Sequence, residues 1–479
     1  MKKHWPILAI FIFAFLIRFL SIWPANTIIG FDQARDLFDS TKILQGDLRI
    51  IGPTAGNNPN LHHGVLWLYF MTIPLIFSHH PSFIVLWNSL FNAFSVVVIY
   101  LLASDLFKSK KVGIIAGVLT AVSYYFVSYS AWLSNPTITL LTVPLFFFGI
   151  WKYYLKNAWG LPLSMFALGL SIQFELFFIY LIPIFIILWL ILKPKTPSLK
   201  IFSYSLLVFS FTLSSMIATE IKFHFAGIKS LLNAGSFVGG SYNFDFLKLF
   251  SLNIFPLSKN PDIMLGIVAV GLLILRLNRR NLFLLIWFFS PALMLLLGSH
   301  NAPWFLIGRP AAAIIIGSYL ISKIKPKLLL IPVVGLIIYT NLLTIKADYG
   351  HGQTILEPDK AAILSKQIAV MKYTYELAKG EPFAIDTVTN PLYINAVWGW
   401  NYSWYSPIKP TWLGGDQLPP YNTLKKATGQ EKYLFLIIDE TPRIPPIYTQ
   451  NAIKSMEKRG KLLEEKSFGG ITVMTFINQ

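Results

Sequence analysis

The sequence predicts a predominantly α-helical, polytopic membrane protein of about 11 transmembrane helices, closed by a C-terminal soluble α/β domain outside the cytoplasm. Three observations predict it. Hydrophobic residues make up 54% of the 479 and charged residues only 13%, a balance found in membrane proteins. Apolar runs of spanning length crowd residues 1–345. Beyond residue 346 those runs stop, and short buried-strand and amphipathic-helix patterns replace them.

The elements follow in order. Met1-Lys2-Lys3-His4 precedes an apolar run that reaches Trp23. No small-residue cleavage site follows and Arg18 sits inside the run, so it reads as a retained signal anchor. Spans are expected at roughly 6–23, 83–104, 112–129, 137–154, 159–174, 176–192, 201–219, 262–275, 281–298, 304–322 and 327–345. A shorter apolar stretch, 64–77, lies between histidine pairs. If it does not cross, the basic clusters Lys2/Lys3, Lys108/Lys110/Lys111, Lys152/Lys156, Lys193/Lys195/Lys200, Arg276/Arg279/Arg280 and Lys323/Lys325/Lys327 all fall on one side. If it crosses, every cluster after the first turns outward, against the positive-inside rule. The stretch is therefore expected to lie along the outer interface or to re-enter.

That topology makes residues 1–345 a multi-pass domain of the cytoplasmic membrane with a cytoplasmic N-terminus and an acidic outer loop, 24–63. Loops 24–82, 220–261 and 299–303, and the tail 346–479, face outward. In the tail, Glu381–Thr387 and Lys432–Asp439 read as buried strands and Asn451–Gly460 as an amphipathic helix. Lys466–Val473 reads as strand-turn-strand, and Asp348–Pro358 as the linker.

Composition also excludes. The net charge of +18 divides into +16 for residues 1–345 (25 basic, 9 acidic) and +2 for the tail (15 and 13). The excess follows membrane topology, so no nucleic-acid partner is implied. With no cysteine there is no disulfide, thiolate catalysis or cysteine metal site. There is no Walker-type loop, Rossmann fingerprint or Asp-x-Asp pair, which argues against nucleotide-sugar chemistry and ATP-driven pumping.

The candidate chemistry concentrates in Gly30-Phe31-Asp32-Gln33-Ala34-Arg35-Asp36-Leu37-Phe38-Asp39. Of nine acidic residues before 346, Asp32, Asp36, Asp39 and Asp47 fall within sixteen positions. Carboxylates beside a membrane are costly unless solvated or used. In a helix, Asp32 and Asp36 share a face with Arg35. Either the segment is a solvated interfacial helix with an acidic first turn, or a carboxylate there takes a proton from an acceptor hydroxyl. Pro53–Gly64 is a polar connection ending in His62-His63, ahead of Trp67-Leu68-Tyr69-Phe70. The histidines read as interfacial hydrogen-bonding groups or substrate contacts. A divalent cation shared with Asp32 or Asp36 is the alternative, although adjacent histidines diverge and match no familiar zinc spacing.

The order of these elements carries a family resemblance. A signal anchor, an outer loop with a Phe-Asp pair and an interfacial apolar stretch come first. A span ending Tyr100-Leu101-Leu102-Ala103-Ser104-Asp105-Leu106-Phe107, and another ending in Tyr124 to Asn135, follow. This order resembles the membrane glycosyltransferases of superfamily C (the GT-C fold). The nearest branch is that of protein O-mannosyltransferases and lipid A aminoarabinose transferases, glycosyltransferase family 39-like. The resemblance implies an inverting cell-envelope glycosyltransferase. It would move a sugar from a polyprenyl-phosphate donor to a lipid, glycan or protein hydroxyl, with Asp32 as base. Two departures stand out: the family's Asp-Glu is Asp32-Gln33 here, and Asn135 stands near the family's second acidic position. Asp36 is then the second candidate carboxylate.

A phosphate leaving group needs fixed cations rather than a protonating acid. Arg309, Arg18, Arg35 and His300 are the candidates for the donor phosphate, and His62, His63, Glu175 and Asn135 for substrate contacts. Arg309 could instead pair with Glu175 or Glu220. The aromatic run Trp398-Gly399-Trp400-Asn401-Tyr402-Ser403-Trp404-Tyr405 resembles the Trp-Trp-Asp-Tyr-Gly signature of oligosaccharyltransferases, with Asn401 in place of the Asp. A domain core or membrane belt explains it as well. The competing function is a transporter or lipid flippase, which would gather its ionisable groups near the midplane.

Overall fold

The computed structural model describes residues 5–56, 58–233, 271, 278–296, 303–353 and 359–479. Six helices open the chain: α1 (Trp5–Ile22), α2 (Phe31–Leu44), α3 (Leu66–Leu75), α4 (Pro81–Phe107), α5 (Lys110–Val122) and α6 (Tyr124–Ala131). Among the described residues α1, α4 and Leu330–Ala347 are long and apolar enough to cross a membrane. The count becomes five if the bent pairs α5/α6 (48°) and Leu199–Thr212/Ser214–Lys222 (61°) are each one span. Shorter apolar helices occupy 66–75, 160–174, 176–192 and 309–322. Where their residues are described, the expected spans coincide with helix; 262–275, described at residue 271 alone, and the end of 281–298 lie otherwise outside the described residues.

Local chemistry sets the helix boundaries. α4 starts where Pro81 fixes φ and the His80 ring accepts from the Ser82 N–H (3.2 Å). It ends at Lys108, whose φ is +49°. The α5/α6 break falls at Ser123, and the Tyr124 N–H there donates to Asn341 Oδ1 at 2.8 Å. α3 is ten residues, about 15 Å at 1.5 Å per residue, half a hydrocarbon core.

Contacts gather the basic turns at one end of the bundle. Lys111 Nζ donates to Ser322 O, and Arg279 to Leu192 O. Arg280 lies 4.6 Å over the Phe107 ring, and Lys152 pairs with Asp105 at 2.6 Å. The opposite end carries α2, the breaks near Asn135 and Glu175, and the C-terminal domain.

That domain is a five-stranded sheet in the order β2-β1-β3-β5-β4, with β1 (Phe383–Val388), β2 (Thr411–Trp412), β3 (Tyr433–Asp439), β4 (Gly460–Ser467) and β5 (Ile471–Asn478). β1 pairs parallel with β2 and β3, and the other pairings are antiparallel. The alternation of β3 sends Phe435 and Ile437 to a core with Val370, Met371 and Trp398. Leu434, Leu436 and Ile438 face a second core with Met456. Helices Leu364–Ala378 and Ala396–Tyr405 therefore cover one face, and Pro446–Glu457 the other.

Two tail expectations shift. The helix expected at 451–460 runs from Pro446 to Glu457, because Pro446 suits a first helical position and Gly460 already pairs with Asn478 in β4. The expected strand-turn-strand is the centre of a longer hairpin, turning at Gly469 and Gly470, both with φ above zero. The aromatic run is helical, with Trp398, Trp400 and Tyr402 buried as core. Of the expected linker, residues 354–358 lie outside the described residues. The part before them docks: Asn26 Oδ1 accepts from the Gly350 and Gly352 N–H groups at 2.8 and 3.0 Å.

Candidate active site

α2 is built to hold charge at its start. Gly30 precedes it, and the Gly30 N–H donates to Gln33 Oε1 at 3.0 Å. Gln33 thus performs the N-terminal capping role of a third-position Glu or Gln, which explains how the chain tolerates Asp32-Gln33. The tail clamps this start: Ile29 N–H donates to Ala362 O (2.7 Å) and Leu364 N–H to Thr27 O (2.9 Å). Gln367 Nε2 donates to Ile29 O (2.9 Å), while its Oε1 accepts from Asn401.

The acidic cluster resolves into two arginine-centred pairs. Arg35 Nη1 meets Asp32 Oδ1 at 2.8 Å, and Arg35 Nη2 meets Asp36 Oδ1 at 2.8 Å. Arg49 meets Asp39 at 2.7 Å and Asp47 at 3.7 Å. The two carboxylates on Arg35 differ sharply. The Asp32 side chain is 67% exposed and that of Asp36 4%. Asp36 Oδ2 also accepts from the Trp67 indole N–H at 2.9 Å. Burial pushes the Asp36 carboxyl up to about 6, while Arg35 and Trp67 hold it down. From the tail, Tyr421 sets its ring 6.2 Å from Phe31 and 5.4 Å from Phe38.

A second polar group forms where helix 160–174 ends. Glu175 lies between that helix and the next and is almost fully buried. Asn135 Nδ2 donates to Phe174 O (2.6 Å) and lies 3.5 Å from Glu175 Oε2. His63 Nδ1 accepts the Leu176 N–H at 3.1 Å, so that nitrogen carries no proton, and Glu175 Oε1 stands 3.5 Å from it. Burial first, then Arg35 and His62, drives His63 down to about 3. Burial lifts Glu175 to about 8. At neutral pH this contact joins a neutral imidazole to a protonated carboxyl and is no ion pair. The expected pairing of Glu175 with an arginine is replaced by an amide and an imidazole.

The remaining candidates separate. Both ring nitrogens of His62 face carbonyls, those of Gly52 (3.2 Å) and Pro59 (3.0 Å), so this ring braces its own loop. Arg18 is fully buried in α1, and its Nη1 donates to Ala14 O (2.9 Å) and Ala121 O (3.4 Å). Arg309 is buried at the first position of helix 309–322, 5.3 Å over the Phe288 ring. Glu220 accepts from the Ile228 N–H at 3.1 Å. His300 lies outside the described residues. Among the described residues, no group of three or more His, Asp or Glu gathers as a metal would need. Sequence reasoning misses Arg49, which charge counting within the loop can find. It also misses the roles of Trp67 and Tyr421, which depend on tertiary contact.

Known proteins share this architecture. Residues 62–218 match the dolichyl-phosphate-mannose-protein mannosyltransferase family. No curated protein sequence matches the chain. ArnT from Cupriavidus metallidurans bound to undecaprenyl phosphate has a similar structure: TM-score 0.64, 9% identity, 99% of this chain and 98% of that one. The archaeal oligosaccharyltransferase AglB from Archaeoglobus fulgidus, in complex with an inhibitory peptide and a dolichol-phosphate, gives TM-score 0.50 at 14% identity, over 99% and 74%. The arabinofuranosyltransferase AftD from Mycobacteria gives 0.51 at 10%, over 100% of this chain and 40% of that one. The chain has the superfamily C glycosyltransferase fold. The family match spans residues 62–218 of the 479, and the likeness to these structures is one of fold.

Proposed function

We propose that the protein is an inverting glycosyltransferase that moves a sugar from a polyprenyl-phosphate donor to an acceptor hydroxyl on the extracytoplasmic face. The observation that carries this reading is the Asp32–Arg35–Asp36–Trp67 arrangement: an exposed carboxylate held by an arginine that a buried carboxylate fixes from behind. Structures with bound undecaprenyl phosphate and dolichol-phosphate among the similar folds support a lipid-linked donor. The positive-inside rule supports the eleven-span topology, with residues 1–345 in the membrane and 346–479 outside.

The reaction then needs little from the protein beyond placement and charge. The acceptor oxygen attacks the anomeric carbon as its bond to the phosphate oxygen breaks. The hydroxyl proton passes to Asp32, and the polyprenyl phosphate leaves with the bonding electrons. One displacement inverts the anomeric centre. Arg35 offers a planar fork that can turn from Asp32 to a phosphate oxygen while Asp36 keeps it in place. Arg309, with His300 and Arg18 as further candidates, supplies charge for the departing phosphate. His63, Glu175 and Asn135 shape the substrate side as neutral hydrogen-bonding groups. A divalent-cation requirement is a separate question, answered by transfer with and without chelator.

The test uses purified protein in detergent with a polyprenyl-phosphate sugar and no ion gradient, which also separates transfer from transport. Wild type is expected to consume the donor and the Asp32→Asn variant to fold but not transfer. Full activity in Asp32→Asn overturns Asp32 as base.

A further inference from the structure

α2 has a second working face. Phe38, Thr41, Lys42 and Gln45, spaced i, i+3, i+4 and i+7, line a cleft of about 1020 Å³. At about 100° per residue this stripe lies roughly 130° around the helix from the stripe of Asp32, Asp36 and Asp39. The turn after α3 supplies His79 and His80, and the C-terminal domain supplies the opposite wall, including Trp404 and Asn422. The cleft therefore exists only where the two parts of the protein meet, and it shares its helix with the candidate base.

Its chemistry is selective. No carboxylate lines it, and Lys42, His79 and His80 do, so it suits a neutral or anionic ligand. Its rings are fixed: Trp404 lies 4.6 Å from His80, and Trp400 lies 5.3 Å from Phe38. Between the rings stand short hydroxyls and amides, among them Thr41, Gln45 and Asn422. The indole N–H groups of Trp400 and Trp404, at the back of the wall, meet no acceptor among the described residues. A lipid chain would need a continuous apolar wall. Flat rings interleaved with hydroxyls, amides and a cation fit a ligand with C–H faces and many hydroxyls. The volume is at the upper end of the roughly 300–1,000 Å³ of ligand clefts.

We infer that this cleft holds the glycan part of the acceptor, away from the point of transfer. The word acceptor rests on the proposed function; the cleft's preference for a saccharide does not. Phe38 is six residues from Asp32, about 9 Å along the axis, so an acceptor of several sugar units can occupy the cleft while its terminal hydroxyl reaches Asp32. Binding energy from this remote part lowers the acceptor KM and leaves the chemical step at Asp32 unchanged.

Crosslinking tests the site without requiring turnover. Polysaccharide from the producing cell's envelope is cut to oligosaccharides and oxidised with periodate. The full-length protein is incubated with it and cyanoborohydride, and labelled lysines are read by mass spectrometry. Lys42 is expected to be modified at least fivefold more than the exposed Lys425, to be protected by unoxidised oligosaccharide, and to lose this excess in Trp404→Ala. Labelling of Lys42 no greater than that of Lys425 overturns the inference. So does protection by undecaprenyl phosphate alone, which would assign the cleft to the lipid carrier. In the transfer assay, Asn422→Ala is expected to raise the acceptor KM three- to tenfold with kcat held; an unchanged KM overturns the inference. Retained transfer in Asp32→Asn would overturn the proposed base and leave the crosslinking result standing.

Discussion

On α2 the carboxylates meet arginines, charge against charge. Arg35 bridges Asp32 and Asp36, Trp67 donates to the buried carboxylate, and Asp32 remains in solvent. At the Glu175 junction, only a few residues from the same loop, the polar groups have surrendered theirs. His63 accepts from a backbone N–H, and burial holds Glu175 protonated up to about 8. The difference separates two ways of keeping polar groups beside a membrane. A site of the kind proposed, one that would move a proton and meet a phosphate, needs full charges and one solvent-facing carboxylate. A junction that satisfies broken helix ends, and would meet substrate only through neutral hydrogen bonds, can neutralise, because burying an unpaired charge is far more costly.

The largest effect that can break this comparison is at Asp32. General-base catalysis is worth about 100- to 10,000-fold, so Asp32→Asn should lower kcat by at least about 100-fold. Its exposed side chain predicts an unchanged melting temperature. Glu175→Gln in the same assay should stay within about threefold. Equal losses at the two positions would erase the distinction between charged site and neutral brace.

Arg35→Gln comes next, and it acts on stability as well as rate. It leaves Asp36 buried without its cation, a loss of about 3–5 kcal/mol for a broken buried pair. pH sharpens the reading. In wild type the folded state keeps a proton on Asp36 up to about 6, whereas the unfolded chain loses it near the ordinary aspartate value of about 3.9. Stability from this group is therefore full below about 4 and declines as pH rises through about 6. Without Arg35 the window should extend upward, so the variant should melt closest to wild type at about pH 4 and fall furthest below it at neutral pH. A constant difference across pH would show that Arg35 acts through something other than Asp36.

Much of this was legible in the sequence, for physical reasons that can be named. The basic turns at Lys108–Lys111, Lys152, Arg279/Arg280 and Lys323 are local, abundant and subject to one rule, and the fold brings them to one end. Asp32, Asp36 and Arg35 were legible because helical spacing alone puts them together. Trp67 was visible only as one ring in an aromatic run; its bond to Asp36 spans thirty-one positions. Tyr421 and Trp400 reach α2 from the other domain, which no periodicity reveals. The helix at 396–405 was hidden because a run so rich in Trp and Tyr has weak helix propensity, and burial in the core of the tail overrides it. Gln33 looked like a departure from the family pattern until its cap to Gly30 was seen.

Trp67→Phe is a smaller test of the same contrast. It keeps the ring and removes one donor from a buried carboxylate, at a cost of about 1–3 kcal/mol. Losing that hydrogen bond also favours the protonated form, so the carboxyl of Asp36 should rise further. Thermal unfolding should show the loss, and kcat should fall far less than in Asp32→Asn, because Trp67 positions Arg35 only through Asp36. A kcat loss as large as that of Asp32→Asn would make Trp67 part of the reacting centre.

The smallest effect belongs to Glu175→Gln, and its sign is its value. A protonated carboxyl and an amide are close in size and both neutral, so at about pH 4 the variant and wild type should unfold within about 0.5 kcal/mol of each other. Folded Glu175 holds its proton to about 8, whereas the unfolded chain releases it near 4.3. Wild type therefore loses stability from this group as pH rises between those values, and the amide does not. By pH 9 the variant should be the more stable protein. If instead it is destabilised by a constant amount at every pH, Glu175 is ionised in the folded state, and the junction holds a charge as α2 does.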